Sequence, residues 1–217
     1  MNLEQARFNM VEQQIRPWEV LDQDVLDLLY VVRREEFVPV EYRALAFSDI
    51  EVPLGDGERM WAPKIEARVL QALGAKKNER ALEVGTGGGY FAALLAHCVQ
   101  HVSSVEINPR LKAWGEQNLK RQGIDNVTVE LGDAAQGWSA RAPYDIIVLT
   151  GSTPLLPQPF LAQLKPEGRL FAIVGDAPVM EARLLSFVSE GSYRSANLFE
   201  TCFPPLRNAL QPKRFSF

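Results

Sequence analysis

The run Glu83-Val84-Gly85-Thr86-Gly87-Gly88-Gly89-Tyr90 sets a carboxylate and alternating glycines at the end of an apolar stretch. It reads as strand, tight turn and helix N-terminus. Glycines there let the charged end of a ligand come close to backbone N–H groups. The spacing bears on which ligand. A dinucleotide fingerprint runs G-x-G-x-x-G/A, and its third glycine falls on Tyr90. Counted from Glu83, the chain has E-x-G-x-G-x-G instead.

Further carboxylates follow in order. Residues 98–106 read as a short strand ending in Glu106. That acid lies about 20 residues past the loop, where a doubly wound fold places an acceptor for ribose hydroxyls. Residues 127–134 read as a third strand followed by Gly132-Asp133, and residues 144–150 as a fourth. The ordered set resembles class I S-adenosylmethionine-dependent methyltransferases, in which the acid two residues before the first glycine belongs to the pattern. The resemblance implies S-adenosylmethionine as cofactor. Gly85, Thr86, Gly87 and Gly89 would line its amino-acid end, with Glu83 and Tyr90 also among the cofactor-binding residues. Glu106 would take the ribose hydroxyls, and Gly132, Asp133 and Ala134 would meet adenine, with Ile107 and Thr150 completing the site. Tyr90 should hold the loop–helix junction too far apart for a dinucleotide site, which excludes NAD.

The elements that must carry these residues alternate. Helical spacing runs from about Leu3 to Ile15 and stops at Arg16-Pro17. A second helix is capped by Asp22, and residues 33–47 read as turns with a short helix. Residues 48–62 read as a loop, after which Pro63 opens a helix running to Leu73 with Gly74 as its stop. From Lys77 onward strands and helices alternate: a strand at 80–84, a helix at 90–97 and a helix after Asn108-Pro109 that Gly123 ends. A helix near 159–164 and a strand at 169–174 follow, and a hairpin turning at Glu190-Gly191-Ser192 closes the chain. The expectation is an α/β, Rossmann-like, doubly wound sheet of seven mostly parallel strands, with an antiparallel last strand and an N-terminal helical cap. Residues 1–217 are read as one methyltransferase domain, with 1–76 as cap and substrate loop and 77–217 as the cofactor-binding sheet.

Composition narrows the classes. The 217 residues are 47% hydrophobic and carry 23 basic against 27 acidic side chains, net −4. That balance argues against a nucleic-acid partner, and the pair Lys213-Arg214 reads as a solvated end. No span reaches the ~20 apolar residues of a membrane helix, so no membrane association is expected. Two cysteines, Cys98 and Cys202, with no secretory segment point to a reduced, cytoplasmic protein. His97 and His101 would share a helix face beside Cys98, but no further ligand stands nearby to complete a zinc site, so no metal is expected.

Beyond the cofactor motif, the chain resembles the protein-L-isoaspartate O-methyltransferases over roughly residues 8–207. The likeness is carried by Met10-Val11-Glu12-Gln13-Gln14-Ile15, Arg34-Glu35-Glu36-Phe37-Val38-Pro39, Asp49 with Pro53-Leu54-Gly55, and Ala62-Pro63. It continues through Leu82–Gly87 with Gly89-Tyr90, Gly132-Asp133, Pro143-Tyr144-Asp145 and the run 163–170. Members methylate the α-carboxylate of L-isoaspartyl residues in damaged proteins. Their acceptor loop ordinarily reads Gly-x-Gln-Thr-Ile-Ser-Ala-Pro-His, whereas this chain has Gly57-Glu58-Arg59-Met60-Trp61-Ala62-Pro63-Lys64. Trp61 therefore stands at the serine associated with catalysis, and Glu58, Arg59, Met60 and Lys64 replace its neighbours. Near the C-terminus, where the family has Val-Pro-Leu-Thr or similar, the chain reads Pro204-Pro205-Leu206-Arg207.

An isoaspartyl carboxylate is already ionised at pH 7, so the enzyme needs no general base and works by orientation and exclusion of water. A serine hydroxyl can orient that carboxylate. Trp61 offers only an indole N–H, displaced by several ångströms. It is read either as core pointing into the helical cap or as an aromatic surface, walling the site of a flat, apolar or cationic acceptor or shielding the cofactor sulfonium by cation–π attraction. Glu58 could repel an anionic acceptor, and Arg59 and Lys64 could attract one. Three functions follow: isoaspartyl repair despite the altered loop, methylation of a different acceptor such as a small molecule, or non-catalytic sensing of S-adenosylmethionine or S-adenosylhomocysteine. The acceptor is thus a protein, a peptide or a small molecule, and the oligomeric state is left open.

Overall fold

The structure, a computed structural model, describes residues 2–189 and 191–213. Arg214 of the basic pair and Glu190 of the predicted hairpin turn lie outside them.

The N-terminal cap forms as its caps and breakers dictate. Asn2 accepts from Gln5 N to start α1 (Leu3–Asn9), which widens into a π-helical stretch, Met10–Ile15. Pro17 lies in the 3-10 turn Arg16–Trp18 that ends it. In α2 (Gln23–Val31) the Asp22 carboxylate accepts from the N–H groups of Asp24 and Val25. Two 3-10 turns, Arg34–Glu36 and Val40–Leu45, fill the next segment.

The segment 48–62 is not a plain loop. It holds an antiparallel hairpin, β1 (Val52–Gly55) and β2 (Glu58–Met60), in which Val52 and Leu54 point inward. The strands are too short, and Pro53 too disruptive, for periodicity to reveal them. The signal lay in the turn: Asp56 and Gly57 both have positive φ, 55° and 83°, and Asp-Gly is a hairpin dipeptide. Then α3 (Pro63–Leu73) ends at Gly74 with φ 53°.

The sheet is built from β3 (Arg80–Val84), β4 (His101–Glu106), β5 (Val127–Leu131), β6 (Tyr144–Thr153), β7 (Leu164–Val174), β8 (Met180–Ser189) and β9 (Ser192–Thr201), in spatial order β5-β4-β3-β6-β7-β8-β9. The pairs β3–β4, β4–β5, β3–β6 and β6–β7 are parallel, while β8 is antiparallel to β7 and β9 to β8. This is the expected seven-stranded, mostly parallel sheet closed by a hairpin. Helices α4 (Tyr90–Cys98), α5 (Pro109–Arg121) and α6 (Gln158–Ala162) make the connections.

Some boundaries move. The strand expected from residue 98 starts at His101, because α4 continues through Cys98. His97 is thus helical and His101 in a strand, so they share no helix face. The helix expected at 159–164 is short because β7 already begins at Leu164.

One apolar cluster joins Met10, Leu26 and Phe37 of the cap to Leu70, Phe91 and Phe171, so the cap is packed onto one face of the sheet. Leu82, Ile147, Phe160 and Leu170 fill the other face. Each such side chain contributes about 1.5–3 kcal/mol through burial.

Candidate active site

The strand order reverses between β3 and β6, and the residues that could hold a cofactor gather at the carboxyl ends of the strands around that switch point. Gly85 follows β3 with φ 98°, and a Cβ there would fall 2.3 Å from Thr150 Oγ1. That hydroxyl is shared between the carbonyls of Val84 and Gly85, both at 2.8 Å, so Thr150 fixes the turn and also lines the cleft. The loop packs tightly on α5, since a Cβ on Gly89 would stand 3.0 Å from Gly115 O and one on Gly115 2.9 Å from Gly87 O. Tyr90 therefore does not loosen the junction as anticipated. It is buried under Arg34, whose guanidinium carbon sits 5.1 Å from its ring centre.

The carboxylates are individually aimed. Glu106, at the end of β4, accepts from Gly87 N at 2.9 Å on Oε2 and from Asn108 N at 3.0 Å on Oε1. One lone pair on each oxygen is left for vicinal hydroxyls. Asp133 accepts from Ala135 N at 3.0 Å on one oxygen and from Asn208 Nδ2 at 2.8 Å on the other. Glu83 is fully buried. Its Oε2 accepts from Ser104 Oγ at 2.5 Å, and its Oε1 has no partner. Burial, the largest influence, raises its pKa to about 8, with Ser104 opposing and Glu106 adding to the rise. All of Glu83, Gly85, Thr86, Gly87, Tyr90, Glu106, Ile107, Gly132, Asp133, Ala134 and Thr150 line one open cleft. Gly89 shapes the loop from behind. An orphaned carboxylate oxygen, a glycine cradle and a carboxylate ready for two hydroxyls fit S-adenosylmethionine.

The other side of the cleft is the rebuilt loop. Met60 and Trp61 are buried and line it, with Glu58 and Arg59 at its rim. The Trp61 ring meets Phe91, Phe171 and Phe203 edge-on, with centroids 5.2, 5.8 and 6.2 Å away. Its indole Nε1 is buried without a partner. Trp61 is thus packed as core against α4, β7 and the C-terminal segment rather than into the helical cap, and it also lines the cleft. Arg59 reaches Glu51 at 3.5 Å. Lys64 does not line the cleft; it pairs with Asp49 at 2.7 Å over the Trp18 ring.

Sequence reading missed several cleft residues. Glu66, in the first turn of α3, lines the cleft and is bound by Arg34, which also donates to Trp61 O at 2.6 Å and Ala46 O at 2.9 Å. Burial pushes the Glu66 pKa up and Arg34 opposes it. A pair 32 residues apart leaves no local signal. The segment Phe203–Arg207 also lines the cleft, fixed to β6 by Ser152 N to Pro204 O at 3.0 Å and Leu206 N to Ser152 O at 2.8 Å. Among the described residues, no group of three or more His, Cys, Asp or Glu could hold a metal ion, and no helix is long and apolar enough to cross a membrane.

The sheet, its switch point and the aimed carboxylates define an S-adenosylmethionine-dependent methyltransferase. Residues 5–211 match the family model "Protein-L-isoaspartate(D-aspartate) O-methyltransferase (PCMT)". The chain is 39% identical over 191 residues to protein-L-isoaspartate O-methyltransferase 1 of Syntrophobacter fumaroxidans, covering 88% of this chain and 89% of the relative. It is 39% identical over 201 residues to protein-L-isoaspartate O-methyltransferase of Methanoculleus marisnigri, covering 92% and 90%. Among solved structures it is similar to a protein-L-isoaspartate O-methyltransferase, with TM-score 0.78, 25% identity, and 92% of this chain and 65% of that one covered. A Plasmodium falciparum protein of that description, in complex with S-adenosyl-L-homocysteine, shares the fold with TM-score 0.77 at 21% identity, covering 91% and 96%. The chain belongs to the protein-L-isoaspartate(D-aspartate) O-methyltransferase family.

Proposed function

We propose that this protein methylates the α-carboxylate of L-isoaspartyl residues in damaged proteins, using an acceptor site rebuilt around Trp61. The observation that carries the reading is the pairing of an intact cofactor half with a continuous cleft reaching the family's acceptor loop. When bound, S-adenosylmethionine supplies a methyl group activated on a sulfonium. The chain's own residues do the rest. The glycine loop and Glu83 hold the amino-acid end, Glu106 the ribose and Asp133 the adenine. The acceptor carboxylate needs no base, so Leu54, Met60, Trp61 and Phe203 act by excluding water and limiting its approach. We place the enzyme in the cytoplasm, a reading supported by the free thiols Cys98 and Cys202.

The aromatic wall of Trp61, Phe91 and Phe203 supports one other reading, a flat or apolar small-molecule acceptor. Methyl incorporation into an L-isoaspartyl peptide, beside its normal aspartyl twin, separates the two.

A further inference from the structure

Glu58 and Arg207 are two of the places where the chain departs from the family pattern, and they lie 149 residues apart. In the fold they meet. Arg207 Nε donates to Glu58 Oε1 at 2.7 Å, and its Nη2 donates to Asp56 O at 3.2 Å. Asp56 is itself held by Arg110, with Nη2 at 3.0 Å, and by Asn108 Nδ2 at 2.9 Å. The far end of the contact is also fixed, because Leu206 is hydrogen-bonded to Ser152 on β6. The guanidinium is therefore gripped along its Nε and Nη2 edge by the turn and second strand of the hairpin. Its Nη1 has no hydrogen-bond partner among the described residues.

Charge in the cleft makes this position distinctive. Glu83, Glu106 and Asp133 belong to the cofactor half, and Glu66 is offset by buried Arg34. Two arginines line the cleft, Arg59 and Arg207. The Arg59 side chain is 53% exposed and meets Glu51 at 3.5 Å, a looser grip than the 2.7 Å between Arg207, 42% exposed, and Glu58. Arg207 is held, carries at Nη1 a donor with no hydrogen-bond partner among the described residues, and is anchored to the loop three residues before Trp61. Glu58, bound to Arg207, no longer presents an uncompensated charge to an anionic acceptor.

We propose that Arg207 is an acceptor-binding residue. Its Nη1 hydrogen-bonds the isoaspartyl carboxylate, supplying from the C-terminal segment the orientation that a hydroxyl at position 61 supplies elsewhere in the family. Glu58 is the positioning residue that aims it. The inference rests on the isoaspartyl reading above. A charge-assisted hydrogen bond from a guanidinium is the strong kind, and a lysine keeps the charge but loses the fork.

The test compares wild type with Arg207→Gln, Arg207→Lys and Glu58→Gln, measuring kcat and KM for an L-isoaspartyl peptide and calorimetric affinity for S-adenosylhomocysteine. Arg207→Gln should raise peptide KM on the order of tenfold or more, with Arg207→Lys recovering part of the loss. Glu58→Gln should give a smaller rise. Cofactor affinity should move less than about twofold, since Arg207 contacts the hairpin and not the cofactor carboxylates. An unchanged KM in Arg207→Gln overturns the inference while leaving the isoaspartyl reading standing. Equal losses in cofactor affinity and peptide KM overturn it too, by making Arg207 a structural strut. A wild type that binds S-adenosylhomocysteine but neither methylates nor binds the peptide overturns the isoaspartyl reading and the inference with it.

Discussion

Glu106 receives one backbone N–H on each carboxylate oxygen, which locks its plane and leaves both oxygens able to accept from a ribose. Glu106→Ala removes both acceptors and should weaken S-adenosylhomocysteine binding by about 1.5–3 kcal/mol, the range for hydrogen bonds to a charged group. Calorimetry showing unchanged affinity would exclude the assignment. Glu83 makes a different prediction. With its pKa raised to about 8, it carries a proton at pH 7 while the cleft is free of ligand. A ligand ammonium at Oε1 favours the ionised form, so binding should release a proton and tighten as pH rises toward about 8. Titrations at pH 7 in two buffers of different ionisation enthalpy should show release; identical apparent enthalpies would contradict it. The stability effect has the opposite sense. Glu83 favours folding most below 4.5, its ordinary value, and that contribution is lost as pH rises through about 8. The positions of both carboxylates were legible because strand ends and glycine spacing are local signals. The state of Glu83 was not, because it depends on Ser104 across a strand pair and on complete burial.

At the scale of elements, the acceptor side is held by a tie between distant segments. Arg34, from a 3-10 turn, binds Glu66 on α3 and the carbonyl of Trp61 between the hairpin and that helix. Glu66→Ala would leave a buried guanidinium without its counter-ion, at a cost of about 3–5 kcal/mol, and Glu66→Gln should cost less. Denaturant unfolding checks this, and a loss below about 1 kcal/mol in the alanine variant would contradict the tie. This architecture was only partly visible in advance. Caps at Asp22 and Asn108 and the first-position Pro63 marked helices accurately, and β3 needed no adjustment. The hairpin β1–β2 was missed because its strands are three and four residues long and one contains Pro53. The start of β4 was misplaced because Cys98 and Val99 are as apolar as the strand that follows.

At the scale of the whole molecule, the cap and one face of the sheet share a core running from Met10 to Phe171. Because this core is shared, heating should show a single transition. S-adenosylhomocysteine should raise its midpoint, as a ligand of the folded state alone must. NAD at the same concentration should not. The reason is no longer a loose junction at Tyr90, since the glycine loop packs closely on α5. It is that the same cleft is walled by Trp61, Phe91 and Phe203, which narrow the room left for a second nucleotide half. A comparable shift from NAD would contradict this reading of the cleft.

Trp61 carries the central claim, that an isoaspartyl methyltransferase here works with a rebuilt acceptor loop. The most direct measurement is the initial rate of methyl incorporation into an L-isoaspartyl peptide and its aspartyl twin. It is made for wild type and for a variant combining Glu58→Gln, Arg59→Thr, Met60→Ile, Trp61→Ser and Lys64→His. Because Trp61 packs against Phe91, Phe171 and Phe203, the variant loses about 3–5 kcal/mol of core packing, so its folding is confirmed by S-adenosylhomocysteine binding. Wild type should methylate the isoaspartyl peptide and not its twin. It should run slower than the variant, by less than the on-the-order-of-10²-fold cost of an acceptor misplaced by ~1 Å, because Arg207 recovers part of the orientation. Equal rates in the two proteins would contradict the role given to the loop, and no isoaspartyl methylation by a wild type that still binds S-adenosylhomocysteine would contradict the function itself.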